Sequence, residues 1–236
     1  MARSVPQPVL EPRRFSARQQ QVLDALEEIF FAEGLGVTIG ELATRASCSR
    51  RTLYELAPSK EQLFLLVLDR MMSRTGRAAR EAAAAERLPE RQLEAFARAG
   101  VVAFQPVGGP FLAAVNGYAP ASWLFEHHLT LAKRFVIERL EQGVGEGRFR
   151  AVHPLVVADA LLAAVQRVTH PSSLRESGLS ASDSLAALFE AFVHGIVADD
   201  QSRSTSSSER RSAVVATSSG GSSAASASRP KQTRPS

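Results

Sequence analysis

Four side chains within five residues, Arg50, Arg51, Thr52 and Tyr54, carry the most readily assigned chemistry in this 236-residue chain. An arginine guanidinium can donate two hydrogen bonds to O6 and N7 of guanine. Thr and Tyr can meet a thymine methyl or a phosphate oxygen. Ser49, directly upstream, has the residue type of a helix N-cap. Thr38 and Lys60 fall at the starts of the flanking helices, where main-chain N–H groups and the helix dipole attract phosphate. Base readout and backbone clamping are therefore both available in one short stretch.

The elements that must hold these groups follow from caps and periodicity. Residues 1–13 contain Pro6, Pro8 and Pro12 and read as a flexible arm. Ser16 caps a first helix whose apolar face is Val22, Leu23, Leu26, Ile29 and Phe30, with Gly34 and Gly36 as the stop. Thr38 with Glu41 three residues on is a capping box for a short second helix. Ser47, Cys48 and Ser49 make a tight polar turn. A short third helix covers 50–56 and is ended by Pro58. Two short helices joined by a three-residue turn have helix-turn-helix anatomy, with the second free to enter a major groove. A plain helical hairpin with a solvated arginine face fits the same spacing.

Residues 16–70 resemble the DNA-binding domain of the TetR family of bacterial repressors. The core of the resemblance is residues 49–64, Ser-Arg-Arg-Thr-Leu-Tyr-Glu-Leu-Ala-Pro-Ser-Lys-Glu-Gln-Leu-Phe. Upstream, Thr38, Ile39, Leu42, Ala43, Ala46, Cys48 and Ser49 fall in the family's order. The resemblance implies DNA contacts at Thr38, Arg50, Arg51, Thr52, Tyr54 and Lys60. Many members place an aromatic or histidine pair after the Tyr. Here Glu55, Leu56 and Ala57 stand there, which leaves the end of the reading helix in question.

Further helices are expected at about 59–86, 89–104, 120–142, 154–168 and 181–198, with a short segment at 110–116 and a polar loop at 170–180. The fold class is all-α. Residues 14–58 form the helix-turn-helix domain and 59–200 a helical regulatory and dimerisation domain. The resemblance implies that this second domain dimerises and often binds a small ligand. The helices at 154–168 and 181–198 have broad apolar faces with small residues, which suit a four-helix bundle across a two-fold axis. Burial within the same subunit is the alternative. A two-fold dimer matches a palindromic double-stranded operator. Phe104, Phe111, Tyr118, Trp123 and His127 are the candidates for a small hydrophobic ligand; core packing is the simpler account of each taken singly. A ligand there would act by shifting the helix at 59–86.

Composition excludes several other classes. With 44% hydrophobic and 22% charged residues, the chain is ordinary for a globular protein. Its net charge of +4 is misleading. Residues 201–236 hold six Arg or Lys against Glu209, so residues 1–200 are net −1. Thirteen of those last 36 residues are Ser, and the segment reads as a disordered basic tail. Cys48 is the lone cysteine, so no intrachain disulfide forms. The start lacks a secretory signal, and no apolar run reaches bilayer length, so a cytoplasmic protein without membrane contact is expected. His127 and His128 are adjacent, about 100° apart on a helix, and cannot easily share a metal. No cofactor loop or catalytic grouping can be singled out, so no enzyme is expected. The reading is a DNA-binding regulator, a repressor released by a ligand. A ligand-independent regulator or activator and a small-molecule-sequestering protein are the alternatives.

Overall fold

The computed structural model describes residues 14–197, and these fold as α-helices and connecting turns. The arm expected at 1–13 and the tail expected at 201–236 lie outside the described residues. In chain order the helices are α1 (Ala17–Glu33), α2 (Ile39–Arg45), α3 (Arg50–Leu56), α4 (Lys60–Ala84), α5 (Pro89–Phe104), α6 (Gly109–Gly117), α7 (Ala119–Gly145), α8 (Pro154–Val168), α9 (Pro171–Ser177) and α10 (Ala181–Ile196). A 3-10 turn, Gly34–Gly36, follows α1.

The first four helices begin where their caps dictate. Ser16, Thr38, Ser49 and Ser59 each accept a hydrogen bond from the backbone N–H three residues on. Each of these satisfies an N–H that a helix start would otherwise leave unpaired. At Ser16 and Thr38 the box is reciprocal, with Gln19 and Glu41 reaching back to the cap backbone. Leu23, Leu26 and Phe30 of α1, Leu42 of α2 and Leu53 of α3 are fully buried. They share one core with Leu63, Phe64, Leu68 and Met71 of α4 and Phe111 and Leu112 of α6. Phe30 meets Phe64 edge-on with centroids 5.4 Å apart, and Phe111 approaches Phe31 and Phe64 at 5.0 Å. Such aromatic pairs add about 0.5–1.5 kcal/mol each beyond their burial.

Two close joints fasten α1 to later elements. The first is ionic. Glu27 is 7% exposed, and it receives Arg70 Nη1 at 3.2 Å and a second guanidinium from Arg74. Arg70 also reaches Asp24 at 2.5 Å. The second joint is backbone on backbone. Gly108 N–H donates to Phe31 O at 2.9 Å. Gly34, at φ +58°, lies so close to Pro110 O that a Cβ there would overlap it.

The helices from α4 onward form a second layer of packing. α4 lies against α5 and α7, α5 against α7 and α10, and α8 against α7 and α10. A smaller core of Leu93, Val136, Leu140, Phe149, Ala158, Leu161 and Ile196 closes the far end. Ion pairs tie its edges: Arg148 to Glu90, and Lys133 to Asp159. The Glu90 contact also raises the Arg148 pKa above its ordinary value.

Two details differ from the sequence expectation. The helix expected to close at about residue 142 runs on to Gly145, with Gly143 buried inside it. The ring of Phe149 occupies the space that a side chain at position 143 would need, so this glycine serves packing and not termination. The polar loop expected at 170–180 contains about two helical turns, α9, begun by Pro171 and ended by Gly178 in the left-handed region. Among the described residues, no single helix is long and apolar enough to cross a membrane.

Candidate nucleic-acid interface and internal cavity

Helix α3 is anchored by two residues three positions apart. Leu53 and Leu56 are buried, while Arg50, Arg51, Tyr54 and Glu55 point to solvent. Tyr54 keeps 53% of its surface exposed, a large fraction for an aromatic ring. An exposed aromatic one turn after two arginines is useful against a base or phosphate.

Polar contacts set the posture of the remaining candidates. Ser49 Oγ accepts from Thr52 N–H at 3.0 Å and lies 2.9 Å from Thr52 Oγ1, so the two hydroxyls engage each other. Thr38 Oγ1 donates to Glu41 Oε2 at 2.8 Å, and the Thr38 N–H donates to the same oxygen at 2.7 Å. These bonds hold the Glu41 carboxyl below its ordinary pKa, the backbone N–H of Thr38 being the largest cause. The Arg50 guanidinium lies over Gly40 on α2, where a Cβ would come within 2.8 Å of Nη2. Lys60 is placed differently from its neighbours. Its half-buried Nζ donates to Leu35 O at 2.8 Å, closing the 3-10 turn after α1.

The turn between α2 and α3 carries Ser47 at φ +49°, a conformation that L-residues adopt at a cost. Arg18 of α1 donates to the Ser47 carbonyl at 2.6 Å and braces the turn. Cys48 beside it is half-buried, and burial pushes its thiol pKa up, with Arg18 opposing. A raised pKa makes this thiol a poor nucleophile at neutral pH.

A cavity of about 250 Å³ opens between α4, α5, α7, α8 and α10. Met72, Phe96, Phe104, Phe189 and Phe192 give it apolar walls, and His128, Thr75, Arg77 and Arg80 supply polar groups. His128 Nε2 is 2.8 Å from Asp69 Oδ1, which links the wall to α4. Of the five sequence candidates, Phe104 lines this cavity. Phe111 is instead sealed among the rings of the α1–α4–α6 joint. Tyr118 sits half-buried after α6, its pKa raised by burial and then by Glu61. Trp123 stacks on exposed His127 at 5.4 Å. Phe96, Phe189 and Phe192 escaped sequence reasoning, because a residue facing a void keeps the same helical spacing as one in a packed core.

Residues 22–67 match the family model described as bacterial regulatory proteins, tetR family. That match spans 46 of the chain's 236 residues. The fold is also shared with solved structures. One is the fatty acid degradation regulator FadR from Bacillus halodurans, at 13% identity and TM-score 0.61, covering 78% of this chain and 98% of that one. Another is a TetR-family regulator from Streptomyces coelicolor, at 22% identity and TM-score 0.60, covering 76% and 95%. A third is a putative transcriptional regulator from Saccharomonospora viridis in complex with choline, at 17% identity and TM-score 0.62, covering 77% and 98%. No curated protein matches the chain.

Proposed function

We propose that this chain is a regulator of the tetR family, a cytoplasmic homodimeric repressor that leaves its operator when a small molecule enters the cavity. Residues 14–58 would serve as the reading head and 59–200 as the regulatory and dimerisation domain. Arg50, Arg51, Thr52 and Tyr54 meet base edges or the backbone, while Thr38, Ser49 and Lys60 mark helix starts that face phosphate. The observation that carries this reading is the connection along α4. Its N-terminal half shares a core with the reading head, and its C-terminal half lines the cavity. A ligand would act through different affinities for two placements of α4. The named ligand of the Saccharomonospora viridis relative and the named pathway of FadR support a small-molecule effector.

The dimer reading is supported by the outer faces of α8 and α10. Leu155 and Val156 are 46% and 62% exposed. Ala160, Ala163, Ala186, Ala187 and Ala191 are exposed alongside them. Small apolar side chains on adjacent helices permit a close two-fold packing.

The test begins by selecting bound duplexes from a random pool with the full chain. Arg51→Ala and Tyr54→Ala should then weaken the selected site by about 1–3 kcal/mol in an anisotropy titration. Unchanged affinity would remove α3 from the interface. Sedimentation showing a monomer at the DNA-binding concentration would refute the dimer.

A further inference from the structure

We propose that the cavity takes an amphipathic anion, an apolar body ended by a carboxylate or phosphate head, with Arg77 and Arg80 holding the head. This rests on the reading of the cavity as the effector site. Among the described residues lining it there is no Asp or Glu. Its fully charged lining groups are two arginines, three residues apart on α4 and therefore on one face. Both are exposed, so they stand at the cavity's solvent edge. The two arginines before them on α4 are already engaged: Arg70 with Asp24 and Glu27, Arg74 with Glu27. Arg77 and Arg80 have no hydrogen bond or ion pair among the described residues. Two adjacent forks with free donors suit a planar carboxylate or a phosphate, and repel a cation.

The backbone at the same place has been kept bare. Gly76 inside α4 and Gly100 inside α5 both line the cavity. Glycine inside a helix sacrifices stability relative to alanine. Nothing lies within 4 Å of a Cβ built at Gly100, and at Gly76 the neighbours are atoms of the Arg80 guanidinium. Side chains at these positions would narrow the space beside the arginines. The deeper walls, Phe96, Phe104, Phe189 and Phe192, offer rings to an apolar body.

The experiment is calorimetric titration of the full chain with decanoate, decyl phosphate, decanol and decyltrimethylammonium. Decanoate or decyl phosphate should bind about tenfold or more tighter than decanol, as charge-assisted bonds imply. Decyltrimethylammonium should bind more weakly than decanol. Whichever anion is tighter identifies the head. Arg77→Gln with Arg80→Gln, both at exposed positions, should bring the anions to the affinity of decanol and leave decanol unchanged. Gly100→Phe should abolish every probe, and Gly100→Leu should weaken every probe. Decanol or the ammonium matching the anions, or anions unaffected by the glutamines, would overturn the proposal while leaving the cavity as a ligand site. No binding by any probe, or binding indifferent to both Gly100 variants, would overturn the cavity reading and the proposal with it.

Discussion

Arg51 Nε donates to Glu55 Oε1 at 3.1 Å, one turn further along α3. The pair stands in solvent, with side-chain exposures of 89% and 55%. An exposed pair of this kind contributes at most about 1 kcal/mol to folding. Its geometry matters more: the bond uses Nε and leaves both terminal nitrogens of Arg51 without a hydrogen bond among the described residues. Those nitrogens are one of the edges that a guanine presents itself to. If α3 reads DNA as proposed, Glu55 acts as a positioning residue for its neighbour. Glu55→Ala should leave stability within about 0.5 kcal/mol of the parent. It should lower the preference for the base read by Arg51 by about 1 kcal/mol, while non-specific affinity rises as a phosphate-repelling carboxylate is lost. Anisotropy titrations on the selected operator and its single-base variants measure both quantities. An unaltered base preference would refute the role.

Glu27 is a carboxylate nearly closed off from water, with two arginines from α4 around it. Glu27→Ala leaves Arg70, which is itself mostly buried, without its inner partner. A loss of about 2–4 kcal/mol in urea unfolding is expected, somewhat below a fully buried pair because Arg74 is half in solvent. Asp24→Ala, at the exposed end of the same network, should cost under about 1 kcal/mol.

Gly34 and Gly36 flank one turn but face different surroundings. A Cβ at Gly34 would overlap Pro110 O, and its φ of +58° strains any other residue. At Gly36 no atom lies within 4 Å. Gly34→Ala should destabilise by about 2 kcal/mol or more and loosen the joint between α1 and α6. Gly36→Ala should shift stability by less than about 1 kcal/mol. Equal urea midpoints for the two variants would contradict the joint.

The capping box at Thr38 and Glu41 sets a pH dependence. The folded Glu41 carboxyl titrates below its ordinary value of 4.5, so its contribution is complete above that value. It is lost as pH falls through the lower, folded value. Glu41→Gln removes this titration. The difference in Tm between parent and variant should be constant near neutrality and shrink below about pH 4.5. A difference that grows on acidification would reverse the assignment.

Much of the reading head was legible because its signals are local. Ser16, Thr38, Ser49 and Ser59 each state a helix start through the hydrogen bond they make three residues later. The periodic Leu and Phe positions of α1 and α4 state which side faces inward. What the sequence withheld depends on partners far away along the chain. Lys60 has the position of a phosphate clamp, and one of its three ammonium donors also goes to a carbonyl 25 residues upstream. Phe111 and Trp123 looked like ligand walls, but one is locked among rings and the other lies on His127. α9 has too few apolar residues for a stripe, although Pro171 and Gly178 bracket it correctly. α7 runs past the expected 142 because Gly143 makes room for the ring of Phe149 and does not end the helix.

That room at Gly143 bears on how the sequence can drift. Phe149 belongs to the small core that also holds Leu93, Leu140, Leu161 and Ile196. Any substitution at 143 evicts the ring and so needs a simultaneous second change at 149, a double step that single-site mutation rarely takes. Gly145, two residues on and open on all sides, carries no such lock and is free to vary alone.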